Sequence, residues 1–542
     1  MKAKRLAAVH AAVFNTIVMT LSLLLFPVAA FSMEGVVIGL EKADLLTPKE
    51  FLEYASVNDI DIHELYFGTI LYEGTDSCLL CHEKEGAAVL DMGHFKWEGK
   101  TDAVAGLEGL VVGKNNIINN FCIAVPSNEA RCTQCHAGLG LKDKNFNFKD
   151  PSNIDCLVCH DQSGTYKKGM TSGGLPDPTV DLNLVARSIA LGSEPQRKNC
   201  IGCHAKAGGG DNVKHGDLST DLIATTREYD VHMGTDGADF ACVACHSANH
   251  DPKTGVVNHG NAGMSTHSVN EGEMKQCPDC HGSQMSIHSD SVAEALFEAG
   301  WHERLACQVC HIPAIARVKP TKMEWYWSDA GQTVSPTPID PITGMPTYDK
   351  KKGTFVWSNN VRPTLRYSNG KWERTVIGIN DKYSETPIQL AKPLGDYSDP
   401  KAMIYPFKKM IGNQPVDPNT KTILVPHLFG LAGGPNPYWG KFNWDLSLQD
   451  GAAYTGQNYS GDYIFADTEM LLTVNHEIAP AEDALGAGPA PDNCMGCHAT
   501  QYIEWDELGW TGDPLQGGQR VQDAGQQSTP NVVAPVYEGF LD

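Results

Sequence analysis

Cys132-Thr133-Gln134-Cys135-His136, followed by Cys156-Leu157-Val158-Cys159-His160, is the pattern that decides how this chain folds. It recurs at Cys78-Cys81-His82, Cys200-Cys203-His204, Cys242-Cys245-His246, Cys277-Cys280-His281, Cys307-Cys310-His311 and Cys494-Cys497-His498. Sixteen of the 17 cysteines belong to these eight motifs, and no C-x-x-C lacks its histidine. A zinc ribbon or a redox dithiol has no use for that third residue. Two thiols at this spacing reach the two vinyl groups of one porphyrin edge, and the next residue sets an imidazole beneath the iron. The chain is therefore read as carrying eight covalently bound c-type haems, each with its iron on a motif histidine.

Working outward, so much prosthetic group leaves the polypeptide to wrap and insulate porphyrin, and a mainly α fold with extensive coil is expected. Seven motifs fall in a core at 72–311, where the spacing of Val292, Leu296, Phe297 and Leu305 predicts a helix from Asp290 to Cys310. From Ile312 to Asn493 there is no motif, yet the stretch holds six of the ten tryptophans and nineteen of the 31 prolines. Residues 312–480 are read as an aromatic, partly β insertion. In it Thr364–Ser368 and Lys371–Ile379 flank Asn369-Gly370, a pair suited to a two-residue hairpin turn. The eighth haem site follows at 481–514, and 515–542 is a polar tail.

At the N-terminus Lys2, Lys4 and Arg5 precede an apolar run from Leu6 to Val28, with small residues at Ala29, Ala30 and Ser32. Residues 1–32 read as a signal for export to the periplasm or beyond, with an uncleaved membrane anchor as the alternative. Residues 33–71 form a separate N-terminal segment. A net charge of -23 excludes a nucleic-acid partner, because phosphates require clustered lysine and arginine. The expected partners are redox proteins or quinol-linked cytochromes and a small inorganic anion as substrate, with a homo-oligomer left open.

Iron has a second axial position, and eleven histidines outside the motifs and the signal compete for it: His63, His94, His215, His232, His250, His259, His267, His288, His302, His427 and His476. On the predicted helix His302 would lie about 13 Å along the axis from His311, so it should serve a different haem. If every iron takes two histidines, only electrons pass. An enzyme needs a displaceable position, and two features point to one: Cys122, the single cysteine left over, and Lys214, beside His215.

Asn119-Asn120-Phe121-Cys122, Cys132 to Gly138, Cys156 to Gln162, Val213 to Leu218, Val231 to Gly234, Cys307 to Pro313, Asn475-His476, Leu508-Gly509 and Gly512-Asp513-Pro514 occur in that order. Together they resemble the octahaem tetrathionate reductases, related in haem arrangement to the pentahaem nitrite reductases and the octahaem hydroxylamine oxidoreductases. The resemblance implies that the haem on Cys132 and Cys135 is catalytic, with Lys214 as its distal ligand and Cys122 and Asn119 beside it. It also implies distal histidines at His94, His215, His232, His250, His288, His302 and His476. A neutral Lys214 would be a weak ligand that substrate displaces. Lys206, Lys214 and Arg131 are the expected positive charges on an anion's path. The electrons would reduce tetrathionate, nitrite or hydroxylamine. A noncatalytic conduit and an outward-running oxidase are the other readings. Residues 33–71 and the aromatic insertion lie outside the resemblance, and His259 and His267 are additional to its pattern.

Overall fold

Cysteines three apart followed by histidine make one helical turn, and each motif lies on or against such a turn. The computed structural model describes residues 47–248, 273–283, 288, 302–487, 492–498 and 502–521. The chain forms two units, 1–59 and 60–542. In the first, α1 (Pro48–Asn58) starts at Thr47, whose hydroxyl accepts from the Glu50 N–H while Glu50 reaches back to the Thr47 N–H, a capping box. The signal or anchor at 1–32 lies outside the described residues. Among those described, no helix is long and apolar enough to cross a membrane.

In the second unit the motifs ride on α3 (Asp76–Val89), α4 (Arg197–His204), α5 (Cys277–His281), α6 (Cys307–His311) and α8 (Asp492–His498), and on shorter turns at Cys132, Cys156 and Cys242. Between α1 and α3, α2 (Ile62–Thr69) is capped by Asp61, whose carboxylate accepts the His63 backbone N–H at 2.7 Å. The helix predicted over 290–310 is not continuous. Residues 290–301 lie outside the described ones, and among the rest 302–306 form a turn and a β-bridge before α6. Backbone pairing overrides the periodicity there: Ile404 donates to Arg304 O and Ala306 donates to Ile404 O.

The aromatic stretch builds a nine-stranded mixed sheet. Its strands are β1 (Thr321–Tyr326), β2 (Tyr348–Asp349), β3 (Gly353–Ser358), β4 (Thr364–Ser368), β5 (Trp372–Arg374), β6 (Ile388–Pro393), β7 (Met403–Asp417), β8 (Thr422–Ile423) and β9 (Ile464–Thr473). The order is β2-β3-β1-β7-β9-β6-β5, with β4 and β8 also on β7. The longest ladder is antiparallel β7·β9, from Phe407↔Thr473 to Val416↔Ile464. Gly370 does turn, at φ 86°, but the expected hairpin does not form. Instead β4 pairs with β7 and β5 with β6, because both flanking strands find longer, better buried partners across the sheet.

Under the sheet Trp325, Trp327, Phe355, Tyr438 and Trp444 form one aromatic core, with Trp325 and Trp327 stacked at 4.9 Å and Tyr438 and Trp444 at 3.9 Å. Burying each such ring contributes about 4–6 kcal/mol before entropy is counted. The α7 helix (Trp444–Thr455) supplies one of these rings. The same core clasps residues 118–123 of the haem-motif region, which is how the insertion meets the site.

Candidate functional site

Six motif histidines each face one histidine from elsewhere in the chain. The pairs are His63–His82 (ring centroids 6.0 Å apart), His94–His204 (6.1 Å), His232–His281 (5.9 Å), His246–His476 (6.2 Å), His288–His311 (6.2 Å) and His302–His498 (6.3 Å). Interplanar angles run from 2° to 83°, so the spacing is constant while the ring orientation is not. Two imidazoles holding one metal through nitrogens about 2 Å away have centroids about 6 Å apart. Among the described residues no three metal-ligating side chains cluster, so a bare ion lacks a site. Two opposed imidazoles are what iron needs when a porphyrin supplies four nitrogens, and all seventeen cysteines are free of disulfides. The donor set fits haem.

Buried carboxylates orient some of these rings, as outer-shell groups do around metal ligands. Asp217, 1% exposed, lies 3.2 Å from His476 Nδ1 and accepts the backbone N–H groups of Asn475 and His476; Asp513 lies 2.8 Å from His498 Nδ1. The motif thiols also show which sites adjoin. Cys78 touches Cys156, Cys135 touches Cys203, Cys200 touches Cys242, and Cys277 touches Cys307. Cys245 lies in the field of Cys280, and Cys310 in that of Cys497. Cys159 acts on Cys200 and Cys203, which joins the first and third motifs to the rest, so the eight form one connected set.

The second motif differs. His136 is fully buried among Phe95, Trp97, Phe146 and Phe148, and its Nε2 donates to Phe95 O at 2.5 Å. Lys168, paired with Asp155 at 2.8 Å, donates to His136 O. No histidine ring faces His136 at 6 Å among the described residues. The third motif's His160 places Nδ1 3.1 Å from Ser193 O. Lys214 and His215 lie side by side inside the protein, and burial lowers both pKa values, Lys214 to about 7 and His215 to about 3. Lys408 of β7 fixes that segment by donating to Val213 O and to Thr321 Oγ1, both at 2.6 Å.

Cys122 is placed by strain and by the sheet. Phe121 sits at φ 73°, a left-handed conformation rare for an aromatic residue, and its carbonyl accepts the Trp327 indole N–H at 2.8 Å. Asn120 donates to Met410 O and accepts from Thr468 Oγ1, both at 2.8 Å. Asn119 Oδ1 accepts from Arg374 Nη2 at 2.7 Å, which gives Asn119 a positioning role. Cys122 is an exposed residue, yet the protein packed around its sulfur raises the thiol pKa against the opposing fields of Lys352, Lys322, Lys214 and Arg131. Cys132, of the second motif, lies within the field of Cys122.

Around this thiol the acidic chain concentrates cations. Lys322 is 3% exposed, Lys408 1% and Arg374 2%, and none has an ion-pair partner among the described residues. Of the cations expected from sequence, Arg131 donates to Met170 O and Lys206 is exposed. The buried three all come from the insertion, where no sequence motif marked them. His63 was a distal candidate without a family counterpart, and its place on a helix one loop before the first motif was the available signal. His427 is buried between Ser127 O and Gly430 O, a structural histidine. His250, His259 and His267 lie outside the described residues.

With this geometry established, known proteins can be compared. The family model "Cytochrome c bacterial" matches residues 322–501, most of them in the motif-free insertion that the sequence resemblance did not reach. An octahaem cytochrome c from Shewanella oneidensis, solved by crystallography, is 36% identical with a TM-score of 0.72, covering 84% of this chain and 98% of that one. An uncharacterized protein of Archaeoglobus fulgidus is 27% identical over 237 residues, 35% of this chain and 78% of its own length.

Proposed function

The chain belongs to the octahaem cytochromes c, and from that premise we propose that it reduces small sulfur or nitrogen oxo-species at its second haem site. Tetrathionate, nitrite and hydroxylamine are the candidate substrates. The observation that carries this reading is the contrast among the motifs: six have opposed histidine pairs, whereas Cys132 of the second lies in the field of the Cys122 thiol, on which Lys352, Lys322 and Lys214 act in turn. Two imidazoles close an iron to small molecules, so six such sites are suited to passing electrons.

Haem bound at Cys132 and Cys135 would supply the redox centre at which substrate is reduced. The chain supplies the rest. Lys214, shifted by burial toward its neutral form, is the displaceable distal ligand. Arg374, still charged at neutral pH with its pKa lowered to about 9, sets a positive potential in a low-dielectric interior, and Lys322, brought down by burial to about 7, adds to it in its protonated form. Cys122 offers a sulfur nucleophile beside the site, and Asn119 and Asn120 hold its segment on the sheet. Electrons reach the second site through the fourth, since Cys135 touches Cys203. In the cell we place the protein outside the cytoplasm, exported by residues 1–32.

The test is turnover of the three substrates by the haem-loaded protein with a low-potential donor, alongside the absorbance change on adding nitrite. Reduction of at least one substrate is expected. No turnover and no spectral change would leave a pure electron conduit.

A further inference from the structure

Lys322 of β1 is held in an aromatic cage. Its Nζ lies 3.3 Å from the ring centroid of Phe355, 3.9 Å from that of Trp325 and 5.0 Å from that of Trp357. Aromatic faces stabilise an ammonium without occupying its three N–H donors, which stay available to an incoming group.

Lys322, Phe355 and Trp357 form part of the wall of a cleft of about 930 Å³, together with Lys319, Lys350 and Lys352. Three aspartates share that wall with the four lysines, two of them on one lysine. Lys319 pairs with Asp211 at 2.5 Å and with Asp221 at 3.4 Å, and Lys352 pairs with Asp349 at 3.3 Å. Lys350 is exposed, and Lys322 is the buried cation left over. Gly209 joins the cleft to the site: it lines the wall, and a Cβ built on it would stand 3.2 Å from Cys122 Sγ and 3.6 Å from the Trp325 ring. At φ 94° the position favours glycine, so the chain thins to bare backbone between the cleft and the thiol.

We propose that this cleft is the route by which anions reach Cys122, and that caged Lys322 selects for negative charge at its inner end. The proposal rests on the reading of Cys122 as lying beside the reducing site, and it adds the route and its gatekeeper. Its ligand class is a small inorganic anion, of which tetrathionate and nitrite are examples and hydroxylamine, neutral at pH 7, is not.

Cys122 is the only cysteine outside the haem motifs, so its alkylation reports the route without any turnover. The haem-loaded full chain is treated with iodoacetate, an anion, and with iodoacetamide, its neutral analogue, and the two rates at Cys122 are read by peptide mass. Removing a lysine also changes the thiolate fraction, but that change affects both reagents equally and cancels in their ratio. In Lys322→Met the iodoacetate to iodoacetamide ratio should fall on the order of tenfold, while Lys322→Arg should retain most of it. Lys352→Gln should lower the ratio by about threefold, and it carries the test if Lys322→Met does not accumulate. An unchanged ratio in Lys322→Met, or in Lys352→Gln where that variant stands in, would overturn the proposal. A protein that reduces none of the candidate substrates but shows the predicted ratios would refute the proposed function and leave the anion route standing.

Discussion

The His246–His476 site and the second-motif site are built from the same five-residue pattern but differ in what stands opposite. At the first, a second imidazole lies 6.2 Å away, its Nδ1 held by the carboxylate of Asp217. At the second, His136 is packed in aromatic rings with Lys168 and Lys114 as its nearby cations, and Cys132 lies in the field of Cys122, which itself lies in the fields of Lys352, Lys322 and Lys214. The attachment motif therefore fixes where a haem goes, and residues far away in sequence decide what stands opposite it.

Four experiments would sharpen or break that contrast. The largest effect is expected from Lys214→Ala: reduction of the best substrate should change on the order of 100-fold, while the electron paramagnetic resonance signals of the six paired sites persist. If neither turnover nor any haem signal changes, Lys214 is no ligand and the second site is not special. Asp217→Asn tests the other side of the comparison. Loss of the carboxylate behind His476 should weaken one paired site and slow turnover about 10-fold, by slower electron delivery. Steady-state kinetics with a shifted midpoint for a single haem in a redox titration would show it, and an unshifted titration would count against it.

Arg374→Met asks what the sheet does for the thiol. Two acceptors, Asn119 Oδ1 and Leu390 O, lose their donor, which should cost about 1–3 kcal/mol and raise the alkylation rate of Cys122 as its segment loosens. Unaltered stability in denaturant would show that Arg374 is not holding residues 119–122.

The smallest effect concerns pH. Burial brings Lys322 down to about 7 from its ordinary 10.5, so between those values the unfolded chain binds the extra proton. Stability from this group therefore rises with pH from about 7 to 10.5 and is lost as pH falls through that window. Lys322→Met should melt about 2–4 °C above the wild type at pH 7, with the gap narrowing by pH 10. A gap that does not depend on pH would mean that the amine is not desolvated.

The eight attachment sites were legible because covalent chemistry needs a local pattern, and local patterns survive in sequence. That His302 would stand apart from His311 was also legible, since its ring faces His498, although the expected helix gives way to backbone pairing with Ile404. What escaped was nonlocal. Parallel pairing of β1 with β7 joins Glu324 to Ile411, and no turn signal announces such a partner. For the same reason Asn369-Gly370 read as a hairpin, since a good turn says nothing of competing strands elsewhere. The buried cations were hidden too: Lys322, Arg374 and Lys408 sit on strands amid ordinary surface lysines, and only the fold shows which lose their water.

The histidine pairs also set an order of assembly. His63 and His82 are near neighbours in the chain, as are His288 and His311, and each pair closes as soon as its own short segment has been made. His246 waits for His476, so the prosthetic group fastened at Cys242 and Cys245 must outlast synthesis of the entire β-sheet with one ligand missing, whereas the group at Cys494 and Cys497 is fastened last and finds His302 already made. Loops of that length close slowly, and nearby histidines are competitors during the delay. Completion of the sheet, which brings His476 into place, is the step that fills the His246 site.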